Sequence, residues 1–167
     1  MKIEVLPNVI TGANLVVGML AVIYAVQERF VTGAILILVA ALLDRFDGKL
    51  ARKLGTNSEF GKELDSLADL VSFGVAPALT AYLWKLYDLG TPGILLLILF
   101  VLCGALRLAR YNVMNVTGHF LGMPITIAGS FVAIIVLAAG QSPAYVSGLL
   151  VFILALLMIS SIKIPKI

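Results

Sequence analysis

The chain has few of the residues that secreted domains and nucleic-acid-binding proteins use. It contains one cysteine, Cys103, which lies in an apolar run and excludes a disulfide within the chain. Charged residues make up 13% of the sequence, and the net charge of +3 is too small to indicate a nucleic-acid partner. No small-residue cleavage site follows the first residues, so we expect no cleaved signal peptide.

Apolar residues are correspondingly abundant in the sequence. They make up 61% of the chain, and the mean hydropathy is +1.09, whereas soluble domains are about half apolar. Since a transmembrane helix needs roughly 20 apolar residues, we predict an all-α membrane protein with six transmembrane helices in a single integral-membrane domain, residues 1–167. The predicted spans cover about residues 9–27, 31–52, 60–87, 92–111, 120–139 and 144–162.

The basic residues predict how the chain is oriented. With six spans both termini lie on one side, and that side carries ten of the twelve basic residues, whereas only Arg29 and Lys85 fall on the other. Because positive charge accumulates in cytoplasmic loops, we expect a multi-pass protein of the cell membrane with both termini in the cytoplasm.

Four aspartates stand where the second and third spans approach the same, cytoplasmic side. Asp44 and Asp47 are three residues apart, and Asp65 and Asp69 are four apart, so each pair shares a helix face. Carboxylates near hydrocarbon are unfavourable unless they are compensated. Pairing with Arg45 or Arg52 is one solution. Divalent cations are the other, and oxygen ligands without histidine or cysteine favour Mg²⁺, Mn²⁺ or Ca²⁺ over zinc.

Small residues lie beside these carboxylates. Gly48 and Ala51 follow Asp47, and Gly61 precedes Asp65 by four residues, which leaves room for a ligand or a close helix. Arg52 lies eight residues beyond Asp44, where a guanidinium is suited to a phosphate oxygen. The pattern indicates a site for a metal-bound diphosphate.

The same stretch, DRFDGKLARKLGTNSEFGKELDSLAD, resembles the signature of the CDP-alcohol phosphotransferases, DxxDGxxARx₈GxxxDxxxD. Every fixed position of that signature is occupied, and the eight-residue gap is intact. The resemblance implies the six-helix fold of that family, an active site at the cytoplasmic end of the bundle, two divalent cations and a homodimer. Its fixed positions are filled by Asp44, Asp47, Gly48, Ala51, Arg52, Gly61, Asp65 and Asp69.

The resemblance also implies a role for each position. Asp44, Asp47 and Asp65 would bind the metals, and Asp69 would share the second metal and act as the general base. The remaining positions of the CDP site would be Gly48, Ala51 and Arg52. The reaction implied is an in-line displacement at phosphorus, in which an alcohol attacks the phosphoryl group that carries the lipid and CMP leaves.

Four further stretches concern the acceptor alcohol. LPNVITGANLVVG, LADLVSFGVAPA, RLARYN and FLGMP resemble the membrane-embedded phosphatidylserine synthases within that family. This implies L-serine as acceptor and CDP-diacylglycerol, or CDP-archaeol in an archaeon, as donor. Arg107 and Arg110, three apart, are suited to an anionic acceptor such as the serine carboxylate or a phosphate; as an alternative, they are snorkelling anchors.

Other polar residues complete the predicted CDP site. Asn8 and Thr11 lie at the start of the first span and are within reach of cytosine or ribose, although Asn8 is equally suited to an N-cap. Thr56 lies in the loop expected to cover the nucleotide. Two alternatives to serine transfer remain: the same chemistry on glycerol 3-phosphate or an inositol phosphate, and, more distantly, a divalent cation transporter.

Overall fold

The computed structural model describes residues 5–54, 58–113, 119–140, 142–161 and 163–165, and helices dominate these residues. The all-α prediction is confirmed, and two three-residue strands are the minor addition. The α-helices are α1 (Val5–Val26), α2 (Phe30–Leu54), α3 (Glu59–Asp69), α4 (Ala76–Trp84), α5 (Thr91–Val113), α6 (Ile125–Ala138) and α7 (Ala144–Ile159).

Helices α3 and α4 form one continuous rod, Glu59–Trp84, because a π-helical segment joins them over Leu70–Val75. Pro77 follows that segment within the first turn of α4. Proline has no N–H to donate to the carbonyl four residues earlier, so the α-helical hydrogen bonding is interrupted at this point. The π segment lies immediately before the turn that contains Pro77.

Small residues allow the helices to approach closely. A Cβ on Gly33 of α2 would lie 3.1 Å from the Ala21 carbonyl oxygen of α1. Gly18 of α1 packs directly on Ser72 of the π segment, whose hydroxyl donates to the Asn14 carbonyl at 3.1 Å. Helix α1 is therefore held against both α2 and the α3–α4 rod.

A single apolar core runs through the bundle. Ile37, Phe73, Phe100, Ile125 and Met158 are fully buried, and they come from α2, the π segment, α5, α6 and α7. Outward-facing positions are also apolar, for example Val16, Leu95 and Leu149. An apolar exterior around an apolar core is typical of a bundle surrounded by lipid, and this protein is a membrane protein.

Within the part of the chain that the structure describes, three helical stretches are long and apolar enough to cross a membrane: Asn8–Val26, Glu59–Trp84 and Thr91–Val113. Helix α2 has 25 residues and carries the charges of the acidic motif. Helices α6 and α7 have 14 and 16 residues, which corresponds to about 21 and 24 Å at 1.5 Å per residue. The predicted number of six spans stays a prediction.

The predicted fifth span begins too early. Residues 119–121 form strand β1 (His119–Leu121), which pairs antiparallel with β2 (Lys163–Pro165), and α6 starts only after Pro124. Gly122, at φ +74°, packs against the carbonyl groups of Met158 and Ser160. The Met123 N–H donates to the Leu157 carbonyl at 3.0 Å. These contacts join the start of α6 to the end of α7.

Candidate active site

Three of the four motif aspartates come together between α2 and α3. One carboxylate oxygen from each of Asp44, Asp65 and Asp69 lies within 4.8 Å of the others. The one-turn spacing of Asp65 and Asp69 puts both on the face of α3 that meets Asp44 of α2. Asp69 is only 8% exposed. Carboxylates this close repel one another, and an all-oxygen donor set fits Mg²⁺, Mn²⁺ or Ca²⁺. The residues therefore fit a divalent cation.

Helix α6 supports the cluster from the other side. The Thr126 hydroxyl donates to Asp44 Oδ2 at 3.4 Å, although the two residues are 82 positions apart in sequence. The bond helps to orient the Asp44 carboxylate. No spacing in the sequence signals Thr126, because only the packing of α6 on α2 brings it there.

The cluster lies in a cavity of about 730 Å³ between α2, α3, α5 and α6. Its polar wall carries the three aspartates with Arg45, Lys62 and Arg107. Its other wall is apolar and is formed by α2 and α6. That wall consists of Leu38, Ala41, Leu42, Ile127, Phe131 and Ile134.

Arg107 is a buried cation on the α5 side of this cavity. It is 7% exposed, interacts electrostatically with Asp69, and its guanidinium carbon lies 5.8 Å from the centre of the Tyr111 ring. Its Nε is buried and has no hydrogen-bond partner in the described part of the chain. A guanidinium fixed on one side by an aromatic ring retains donors for an anionic ligand.

Arg110 is placed differently, although both arginines are predicted to bind an anionic acceptor. Its guanidinium donates to the carbonyl groups of Ile159 and Ser160, at 3.4 and 3.2 Å, where α7 ends. Carbonyl groups at a helix C-terminus lack intrahelical donors, and a basic side chain compensates them. Arg110 therefore ties α5 to α7, whereas Arg107 lines the cavity.

Asn112, one turn beyond Leu108, joins α5 to α3 at the cavity. Its Nδ2 donates to Ser66 Oγ at 3.0 Å and to Glu63 Oε1 at 3.3 Å, and its backbone carbonyl accepts from Lys62 Nζ at 3.2 Å. Asn112, Ser66 and Lys62 all line the cavity. No spacing in the sequence signals Asn112, since its partners lie on another helix.

The predicted CDP-site residues are only partly described. Gly48 lines the cavity, and a Cβ built there would meet nothing within 4 Å, so the backbone borders open space. Asp47, Ala51 and Arg52 belong to α2, but their side chains lie outside the described residues, as does Thr56 altogether.

Asn8 and Thr11 lie on the face of α1 that packs against α3. Asn8 Oδ1 is 3.1 Å from the position of a Cβ on Gly61, and Thr11 is buried. The N-cap role considered for Asn8 is wrong, because α1 begins at Val5 and Asn8 lies inside the helix. Ser58 is the N-cap of α3, and its hydroxyl accepts from the Gly61 N–H at 3.1 Å.

Comparisons with known proteins identify the family of the chain. The CDP-alcohol phosphatidyltransferase family matches residues 4–161. A CDP-diacylglycerol–serine O-phosphatidyltransferase from Helicobacter pylori is 38% identical, over 96% of this chain and 71% of the relative.

Two archaeal relatives are similarly close. One from Methanocaldococcus jannaschii, which bears the same name as the Helicobacter protein, is 41% identical over 99% of this chain and 76% of its own length. An archaetidylserine synthase from Methanothermobacter thermautotrophicus is 37% identical over 97% of this chain and 70% of its own length. The cavity gathers three of the motif carboxylates, and relatives match nearly the whole length of the chain. The chain therefore belongs to the CDP-alcohol phosphatidyltransferase family.

Proposed function

We propose that this protein is a transferase that moves the phosphatidyl or archaetidyl group of a CDP-activated lipid to the hydroxyl of L-serine and releases CMP. The observation that carries the proposal is the cavity itself. It combines three clustered carboxylates and a buried arginine with an apolar wall on the lipid-facing side. The names of the relatives supply the serine acceptor and the two lipid types.

Asp44, Asp65 and Asp69 would hold the divalent cations, Mg²⁺ or Mn²⁺, together with Asp47 of the same motif. Held by these carboxylates, the cations would supply positive charge against the diphosphate and the oxygens that attack and leave. The chain contributes the fixed array of oxygen ligands, and Thr126 contributes by orienting Asp44. Electrostatic stabilisation by preorganised charge of this kind is usually the largest single contribution to catalysis.

Asp69 acts as the general base in this proposal. It takes the proton of the serine hydroxyl, whose oxygen forms a bond to the phosphorus atom that carries the lipid. The bond between that phosphorus and the bridging oxygen breaks, and CMP leaves with the electron pair. A hydroxyl is a weak nucleophile until its proton is removed, and Asp69 is buried beside the cavity where that step would occur.

Arg107 holds the serine carboxylate. It is buried, it lines the cavity and it is fixed by Tyr111, so it presents its donors with little loss of side-chain freedom. Arg110 has a structural role at the end of α7, since its guanidinium is already engaged there.

The lipid enters between α2 and α6. Leu42, Ile127, Phe131 and Ile134 line the cavity and are also well exposed on the outside of the bundle. Acyl or isoprenoid chains bound along them remain in hydrocarbon while the diphosphate reaches the carboxylates. The nucleotide would lie beside Gly48, with Ala51, Arg52, Thr56, Asn8 and Thr11 as its predicted partners.

The wider setting completes the proposal. The chain would lie in the cell membrane as one catalytic domain, with the end that carries the acidic cluster facing the cytoplasm, where serine is available. It would form a homodimer.

The test is CMP release by the purified protein with a CDP-lipid and Mn²⁺ or Mg²⁺. We expect release with L-serine and none after chelation with EDTA. Glycerol 3-phosphate and an inositol phosphate are parallel acceptors, and CDP-diacylglycerol and CDP-archaeol are parallel donors. Release with a phosphorylated acceptor but not with serine would overturn the assigned acceptor, and undiminished release in EDTA would overturn the metal-dependent chemistry.

A further inference from the structure

Arg45 lies on α2 at the margin of the cavity where the bundle opens outward. It continues a row of cavity residues at helical spacing, Leu38 and Leu42, and both Leu42 and Arg45 are exposed. Asp44, one residue earlier, is turned by about 100° around the helix axis and accepts the hydrogen bond from Thr126. Arg45 is therefore on the side of α2 where Leu42 meets the lipid, whereas Asp44 belongs to the carboxylate cluster.

The basic side chains that line the cavity differ in how far they are already engaged. Lys62 Nζ donates to the Asn112 carbonyl, and Arg107 is buried and interacts with Asp69. Arg45 is exposed and makes no hydrogen bond or ion pair with any described residue, so it does not compensate the described carboxylates of the motif. Among the described residues of the cavity, Arg45 is thus the basic side chain that is both accessible and uncommitted.

The depth of Arg45 in the bundle indicates which anion it can meet. Helix α2 begins at Phe30, at the end opposite the acidic cluster, and Arg45 lies 15 residues further, about 22 Å along the axis. The hydrocarbon core of a bilayer is about 30 Å thick, so the backbone of Arg45 lies within it, near the headgroup layer. An unpaired charge is unfavourable there, and an arginine extends its guanidinium to the headgroups. The anions at that level are lipid phosphates, which a guanidinium binds through two parallel hydrogen bonds.

We propose that Arg45 binds the phosphate that carries the lipid and so guides the CDP-activated lipid from the membrane to the carboxylate cluster. The inference rests on the proposed function and deepens it by naming a residue that recognises the donor at the lipid entrance. The apolar chains would then lie along Leu42, Ile127 and Phe131, which line the cavity and are exposed beside Arg45. The same phosphate stays with the lipid after transfer, so the contact serves both entry of the donor and release of the product.

The test measures the KM for the CDP-lipid, as its mole fraction in detergent micelles, together with equilibrium binding of the CDP-lipid in the absence of any acceptor. We expect Arg45→Gln to raise this KM and to weaken binding about tenfold, the loss of one charge-assisted contact. The kcat and the KM for serine should not change. Arg45→Lys should give a smaller rise, because lysine keeps the charge but not the two parallel donors. Inhibition by CMP, which lacks the lipid-bearing phosphate, should be the same in Arg45→Gln and the wild type.

Lys49→Gln is the matched control, because Lys49 is exposed one turn further along α2 and does not line the cavity. We expect its KM for the CDP-lipid to equal that of the wild type. An equal rise in Lys49→Gln would show a general attraction of anionic lipid to positive charge, and an unchanged KM in Arg45→Gln would leave Arg45 as a membrane anchor. Weaker inhibition by CMP in Arg45→Gln would assign Arg45 to the nucleotide phosphate. Each of these results overturns the inference, whereas a wild type that binds the CDP-lipid but does not use serine overturns the proposed function instead.

Discussion

At the residue scale, the proposed chemistry depends on two buried charged side chains, Asp69 on α3 and Arg107 on α5. Both are less than 10% exposed, and they interact electrostatically. Opposite charges at low exposure stabilise each other, and removal of one leaves the other uncompensated at about 3–5 kcal/mol. Tests of either residue therefore need shape-conserving substitutions and a measurement of stability alongside activity.

Asp69→Asn keeps the size and polarity of the side chain and removes its ability to take a proton. We expect serine-dependent CMP release to fall about 10²- to 10⁴-fold, the usual contribution of a general base, while binding of the CDP-lipid partly survives. The measurements are CMP release at saturating serine and lipid binding by calorimetry. Asp88→Asn, at an exposed position outside the cavity, is the control, and normal turnover in Asp69→Asn would refute the assigned base.

Gly48→Ala separates stability from function at one position. A Cβ there meets no protein atom within 4 Å, and alanine is favoured over glycine in a helix by about 1 kcal/mol. We expect a higher thermal midpoint in detergent and a kcat/KM for the CDP-lipid at least tenfold lower, by analogy with one misplaced group in a binding pocket. A variant that is both more stable and fully active would show that the nucleotide does not approach Gly48.

At the element scale, the π segment is the feature that positions Asp69. It begins one residue after Asp69 and is held by Ser72, which bonds to α1, and by Phe73, which packs against Gly129 of α6. A π segment inside an α-helical rod changes the direction in which the residues before and after it point. The carboxylate of α3 and the core residues of α4 can thus both face inward.

Gly129→Ala tests this role of the π segment. The added Cβ would lie 2.5 Å from the Phe73 carbonyl oxygen, a backbone atom that cannot rotate away. We expect a loss of about 1–3 kcal/mol from overpacking, seen as a lower thermal midpoint, together with a lower kcat as Asp69 shifts. Gly12→Ala, where a Cβ meets nothing within 4 Å, is the matched control. Unchanged stability and activity in Gly129→Ala would contradict the close packing.

At the scale of the whole molecule, the site joins parts of the chain that are far apart in sequence. Its carboxylates come from α2 and the α3–α4 rod, its buried arginine from α5 and its apolar wall partly from α6. A cation bound by Asp44 and Asp65 would join α2 to the α3–α4 rod, whose carboxylates otherwise repel each other. Binding should therefore stabilise the entire bundle.

The expected result is a rise in the thermal midpoint when Mn²⁺ is added to chelator-treated protein. At a hundredfold excess over the dissociation constant the gain is about 2.7 kcal/mol. Asp44→Asn and Asp65→Asn should greatly reduce the shift, and the exposed-site variant Asp88→Asn should retain it. The measurement is thermal unfolding in detergent micelles, with Ca²⁺ and Mg²⁺ in parallel. An equal shift in Asp44→Asn would show that the cation binds elsewhere.

The sequence by itself determined the helical membrane class, the approximate limits of most helices and the acidic motif. These depend on local properties: apolar run length, turn residues and the one-turn spacing of carboxylates that puts Asp65 and Asp69 on one helix face. The start of α6 was misplaced because the hydropathy of Phe120 and Leu121 does not distinguish a short strand from a helix end.

Only the tertiary structure decided which residues on different helices meet. Thr126 reaches Asp44 across 82 positions, and Asn112 reaches Ser66 across 46. Nothing in the sequence distinguishes the roles of Arg107 and Arg110, which lie three residues apart on α5. In the structure Arg107 lines the cavity, whereas Arg110 binds the end of α7. Such contacts depend on how whole helices pack against one another. That packing is set by the small residues at the helix contacts and by the core that all the helices share.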